Sequence, residues 1–307
     1  MRKTECRICK GADLYSFLDL GFQPHSDQFR TTLDEPEMQY PLRLDRCRGC
    51  GFVQLDYVVP PSDLYQTDYL YESSITQTGS AHWAELAGTV SRKIGLAEGS
   101  GVIDIGSNDG TLLSKFAALG MKVHGIDPCA EIADIAIGRG IPTVNDFFSD
   151  SALRLAMENL PRTDLVTGTN VFAHIDDLEA ILRAVSDNIG NGVFVFESPY
   201  FGDFYDGLQY DTVYHQHLSY LSLRPLIPFF EKFDLPIFDV DRTPIHGGSF
   251  RVYAGRGRDR SAVVDQMLAN ENWTDADMDA FAAKVRQNRE DLFGMIYSLW
   301  QEGKTIA

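Results

Sequence analysis

The chain has 307 residues, 44% of them apolar and 23% charged, the balance of a soluble globular protein of about two domains. Its net charge of −17 excludes a broad nucleic-acid face, since phosphate backbones are held by Lys and Arg, and argues against a nucleic acid polymer as partner. No run approaches the ~20 consecutive apolar residues of a membrane span, and residues 1–10 lack the apolar stretch of a signal peptide, so the chain reads as cytoplasmic with no membrane partner.

Four of the five cysteines form two knuckles, Cys6/Cys9 and Cys47/Cys50, with 37 residues between Cys9 and Cys47. In a reducing compartment such pairs point to metal. Four thiolates give zinc a closed tetrahedral shell, which predicts a structural rather than a catalytic ion. Gly49 and Gly51 ease the second knuckle. Free thiols or two redox pairs are the alternative. The lobe, residues 1–60, is too short to bury much core, so metal supplies folding energy. Residues 18–25 suggest a strand and a turn, with His25 a turn histidine rather than a ligand. Residues 61–95 read as a linker and entry helix. The linker's Tyr65, Tyr69 and Tyr71 are expected to pack on the next domain, or, more sharply, to line a substrate cleft.

From residue 81 the pattern alternates: helix at 81–94, strand at 101–105, helix at 111–119, strand at 122–126, helix at 130–138, strands at 164–168 and 192–197 with a helix at 178–189 between them. Strands alternating with helices predict an α/β domain with a mostly parallel sheet, spanning 96–258, and ligands outside the strands' carboxyl ends. The first strand-to-helix turn reads Asp104-Ile105-Gly106-Ser107-Asn108-Asp109-Gly110. It is not GxGxxG, and Asp104 and Asp109 suit a cationic or zwitterionic ligand better than a phosphate. S-adenosylmethionine, with a sulfonium and an amino group, fits that sign. Asp127, 21 residues after Gly106 and followed by Pro128, is placed to accept ribose hydroxyls. Asp146 and Phe147 follow the third strand, where a carboxylate can take the adenine amino hydrogen and a ring can line its face. Asp127 alone is equally a helix cap.

The knuckles and the segments DIGSNDGT, GIDP, NDFF, NVFAHIDDL, ESPYFGDF, YDTVYHQHLSY and HGGSFRVY stand in the order seen in the nucleotide-sugar C-methyltransferases, and the chain resembles that family over nearly its whole length. The family methylates carbon 3 of deoxy-4-keto sugars attached to a nucleoside diphosphate. The resemblance implies a class I methyltransferase, Rossmann-like, with an N-terminal zinc lobe and a nucleotide-sugar substrate. It implies that Gly106, Asp109, Asp127, Asp146 and Phe147 bind S-adenosylmethionine, with Asp104, Asn108, Gly110, Pro128 and Asn170 beside them. His217 would match the general base, and Tyr214, His174 and Tyr71 the sugar site. Tyr200, His215 and His246 complete the substrate candidates. Read without the resemblance, His215 and His217 are equally two strand residues on one face, and His246 a turn histidine beside two glycines.

Two departures stand out. The family's motif is Tyr-His-Glu-His, whereas Gln216 here hydrogen-bonds without charge. Family members also continue into a third lobe, whereas residues 259–307 read as a helical extension: Thr274 as N-cap, Met278, Phe281, Val285, Leu292, Ile296 and Leu299 as an apolar stripe, Gly303 as its end and 304–307 as a strand opening. The C-terminal lobe is therefore expected to be absent, by truncation or replacement by a partner. Carbon methylation beside a ketone needs a base, and histidine titrates in the right range. The enolate oxygen needs a donor, which Tyr214 or His174 can supply. An O- or N-methyltransferase, a zinc-containing binding module and an inactive remnant stay open.

Overall fold

The computed structural model describes residues 1–26, 36–61 and 77–306, together with 32, 34 and 64. Tyr65, Tyr69 and Tyr71 lie outside them. In the N-terminal lobe, β1 (Leu14–Pro24), β2 (Gln39–Cys47) and β3 (Val53–Leu55) form an antiparallel sheet. The sheet is not made from the first 60 residues alone. Its fourth strand, β9 (Ser219–Tyr220), arrives from far along the chain and pairs with β3, Gln54 opposite Ser219. Leu44, Val53, Leu55 and Tyr220 bury one face of it.

The larger sheet holds β4 (Gly101–Ile105), β5 (Lys122–Asp127), β6 (Thr143–Asn145), β7 (Leu165–Thr169), β8 (Val193–Pro199), β10 (Ile237–Thr243) and β11 (Ser249–Ala254). Its order is β10-β11-β8-β7-β4-β5-β6, parallel except for β11, which runs against both neighbours. Near-continuous apolar runs make strands buried on both faces, as in β4, where every residue is buried. Helices α1 (Gln77–Ile94), α2 (Thr111–Ala118), α3 (Ala130–Gly138), α4 (Asp150–Met157) and α5 (Leu178–Ile189) cover it. Phe172, Phe194, Phe196 and Phe230 stack in its core, Phe172 and Phe196 at 4.7 Å between ring centroids. Strand order reverses between β4 and β7, which opens a crevice at their carboxyl ends.

Beyond β8 come α6 (Phe201–Asp206), α7 (Leu223–Glu231), α8 (Ala262–Ala269) and α9 (Asp275–Gln301). Thr274 caps α9 through a capping box with Asp277. Met278, Phe281 and Val285 are buried, but the second half of the stripe, Leu292, Ile296 and Leu299, is exposed. Residues 304–306 form no strand, so the strand expected there is not present among them. No described helix is long and apolar enough to cross a membrane.

Candidate active site

A cleft of about 900 Å³ opens at the reversal point. Asp104, Gly106, Asn108, Asp127, Pro128, Phe147 and Asn170 line one part of it, and His174, Tyr214, Gln216, His217 and His246 another. Gly106 takes φ +64, and a Cβ there would stand 2.4 Å from Val171 Cγ2, so only glycine lets the turn pass under the loop after β7. Asn108, also left-handed at φ 51, donates its backbone N–H to Asp127 Oδ2 at 2.8 Å. Cys129 N–H donates to Oδ1 of the same carboxylate at 3.0 Å. These bonds fix the carboxylate at the tip of β5, and each oxygen retains capacity for a further donor. Burial pushes the Asp127 carboxyl upward. Burial pushes Asp104 up to about 7, against the Thr167 hydroxyl bonded to it at 2.7 Å, and the Asp127 charge adds to the rise.

Five expected site residues are directed elsewhere, each for a visible reason. Asp109 is fully buried, accepts Thr111 N–H and Oγ1–H and pairs with Arg139 at 2.8 Å, which makes it a strut of the turn rather than a wall of the cleft. Gly110 packs its α-carbon toward Ile141. The exposed Asp146 accepts the N–H of Phe147 and lies outside the lining, although Phe147 and Phe148 belong to it. Tyr200 is buried and donates to Glu271 at 3.0 Å. His215 is fully buried against Tyr40 of the N-terminal lobe, 5.9 Å between rings. Residues 214–217 form a turn, not a strand, so His215 and His217 project to different surroundings. His25 is likewise buried, 6.2 Å from the Tyr40 ring.

The turn sets the histidine chemistry. His217 Nδ1 lies 2.9 Å from the Thr212 carbonyl, which can only accept, so Nδ1 carries the proton and Nε2 the lone pair. Tyr214 donates its hydroxyl to that lone pair at 2.8 Å. His174 stands 5.1 Å from His217, ring to ring. Burial lowers His174 to about 3 and His217 to about 4, so both are neutral at physiological pH. His246 reaches Asn170 Nδ2 at 3.2 Å.

Reading the sequence missed Ser107, Trp83, Gln209 and Asp211, which also line the cleft. Gln209 lies just before YDTVYHQHLSY and Asp211 inside it, so that motif was the available signal; Trp83 had none. Ser107 Oγ, Asn170 Oδ1 and Trp83 Nε1 are buried polar atoms with no hydrogen-bond partner among the described residues, all in this cleft. Such atoms suit a polar ligand, as S-adenosylmethionine is. The zinc donors also fit their ion. The four sulfurs lie within 4.8 Å of one another, with Cys6–Cys50 at 3.6 Å and Cys9–Cys47 at 3.5 Å, near the ~3.8 Å edge of a tetrahedron with Zn–S of ~2.3 Å.

The chain is similar to known proteins along its length. Family models match as a zinc binding domain over residues 6–65, a methyltransferase domain over 81–239 and a C-methyltransferase C-terminal domain over 244–307. The C-methyltransferase NovU of Streptomyces niveus is 30% identical over 313 residues, covering 99% of this chain and 74% of that protein. The chain belongs to the zinc-binding C-methyltransferases. As a member it is an S-adenosylmethionine-dependent methyltransferase with a four-cysteine zinc site. The C-terminal match corrects the expectation of an absent C-terminal lobe, since residues 244–307 belong to that C-methyltransferase domain. More distant likenesses cover part of the chain. A ubiquinone biosynthesis O-methyltransferase of Xanthomonas oryzae pv. oryzae is 32% identical over 111 residues, 36% of this chain and 46% of its own. Magnesium protoporphyrin IX methyltransferase from Synechocystis superposes with a TM-score of 0.46 at 12% identity, over 61% of this chain and 90% of its own.

Proposed function

We propose that this C-methyltransferase acts on the carbon beside the ketone of a nucleotide-linked deoxy-keto sugar, with His217 as the base. S-adenosylmethionine, held by Asp127, Gly106, Asn108 and Asn170, supplies the methyl group. The observation that carries the reading is the His217 tautomer: Thr212 holds the Nδ1 proton, so the Nε2 lone pair, to which Tyr214 donates, is the proton acceptor at the cleft. In the proposed step the Tyr214 hydroxyl turns from Nε2 to the keto oxygen as the substrate binds, which frees the Nε2 lone pair. Nε2 then takes the proton from the carbon acid, and the electron pair left behind moves onto the keto oxygen, to which the Tyr214 hydroxyl donates. His174, neutral and beside His217, orients the sugar. Gln216, in place of the Glu of the Tyr-His-Glu-His motif, lines the cleft without adding charge. The described lining contains no Lys or Arg, so the cleft takes the sugar and the diphosphate is held outside it.

The test uses substrate deuterated at the carbon beside the ketone. The wild type washes the label out as it methylates, because only carbon methylation breaks that C–D bond. His217→Asn should keep S-adenosylmethionine affinity and slow both wash-out and methylation by about 10²- to 10⁴-fold. A label retained in the methylated product would overturn the carbon site, and unaltered wash-out in His217→Asn would remove the base.

A further inference from the structure

We infer that Ser198 and Ser219 bind one buried water behind His217, and that this bridged pair positions the histidine. Ser198 belongs to β8 and Ser219 to β9; they are 0% and 3% exposed, and neither hydroxyl has a hydrogen-bond partner among the described residues. Both border a second, small cavity of about 20 Å³ beside the cleft, lined also by Tyr200, Phe204, Tyr220, Thr212 and His217. A space of ~10–15 Å³ suffices for one water where two or more polar partners face it, and a cavity this small admits no organic ligand. An apolar hole of that size would stay dry; two stripped hydroxyls make this one a water site.

The place of the site gives it a role. Ser198 is part of the parallel sheet and Ser219 of the N-terminal lobe's sheet. The chain between them, 199–218, carries Thr212 at the end of a short 3-10 helix, Tyr210–Thr212, and Tyr214 and His217 in the turn that follows. A water bonded to both hydroxyls ties the two sheets together next to the point where Thr212 accepts the His217 Nδ1 proton. Both ring nitrogens of His217 already have partners, Thr212 and Tyr214, so the water does not carry the substrate proton. Ser198 and Ser219 are positioning residues that keep Nε2 aimed into the cleft.

The kinetic part rests on His217 being the base; the water itself does not. A high-resolution crystal structure of the full chain should show a solvent peak within hydrogen-bond distance of both hydroxyls, and the Ser198→Ala/Ser219→Ala variant should lack it. That variant should lose about 10- to 100-fold in kcat with unchanged S-adenosylmethionine affinity. Its acid limb should move upward in pH, as a loosened and better hydrated His217 returns toward ~6.5. No solvent peak in the wild type overturns the site, and unchanged kcat and pH profile in the variant overturn the positioning role. If the double variant does not fold, the wild-type peak and the two single variants decide. If His217→Asn retains full activity, the reading of His217 fails by itself, while the solvent peak still decides the water.

Discussion

Asp104 is a carboxyl placed where ionisation is costly. It lies in the floor of the cleft, 1% exposed, with Asp127 near enough to add repulsion. Its folded value of about 7 stands above an unfolded value of ~3.9. A raised carboxyl gives stability that is fully present below the unfolded value and lost as pH rises through the folded one, so the loss falls between about pH 4 and pH 7. Asp104→Asn removes the charge and keeps an acceptor for the Thr167 hydroxyl. It should therefore raise stability at pH 8 by about 1–3 kcal/mol and change it little at pH 4. A cationic cofactor favours the ionised carboxyl, so wild-type affinity for S-adenosylmethionine should rise with pH across this window. In the variant the affinity should be about tenfold weaker and depend less on pH. Denaturation at both pH values and calorimetric titration check the two halves; equal stabilisation at pH 4 and pH 8 would show that burial does not raise this carboxyl.

The element that organises the site is the passage from β4 through Gly106 into α2. Gly106→Ala meets two costs, a left-handed backbone worth ~1–2 kcal/mol and a collision with Val171. The single substitution should destabilise by about 2–5 kcal/mol. Adding Val171→Ala removes the collision alone, so in the Val171→Ala background the cost of Gly106→Ala should shrink to the backbone part. Chemical denaturation of the four species gives the coupling, and additive effects would mean that the loop moves aside freely. This element was legible beforehand because β4 is one apolar run and its turn glycines are spaced for a strand-to-helix change. The helices 130–138 and 178–189 end where their apolar periodicity ends. Side-chain direction was not legible. Asp109 and Asp127 both stand at strand tips, yet only the contacts with Arg139 and Thr111, invisible in spacing, turn Asp109 into the structure. His215 and His217 are two apart and would share a face of a strand; a turn sends them apart instead. The exposed half of α9 shows the same limit, since periodicity marks a stripe without saying which part is covered.

At the scale of the molecule, the zinc lobe and the turn that carries His217 are one mechanical unit. β9 begins two residues after His217 and pairs with β3, four residues beyond the second knuckle's Cys50 when counted to Gln54. Arg7, inside the first knuckle, donates Nε–H to Asp176 at 3.1 Å, two residues after His174, and Lys3 pairs with the same carboxylate at 2.5 Å. His174 and His217 are thus fastened to strands or loops that the four cysteines organise. Gly106, Asp127 and Asn170 instead stand at the strand ends of the seven-stranded sheet, whose core holds Phe172, Phe194, Phe196 and Phe230, with Ile8 and Phe52 of the lobe packed at its edge. Removing zinc should therefore separate the two abilities of the enzyme. A chelator-treated protein should lose most methyl transfer, since the lobe has little core of its own to hold β3 in place. Its S-adenosylmethionine affinity should stay within about tenfold of the starting value, because the sheet that carries those residues is intact. Measuring transfer and cofactor binding on the same sample, before and after chelation and again after zinc is returned, decides it. Loss of both together would mean that the lobe supports the whole fold, and survival of transfer would mean that His217 keeps its place without β3.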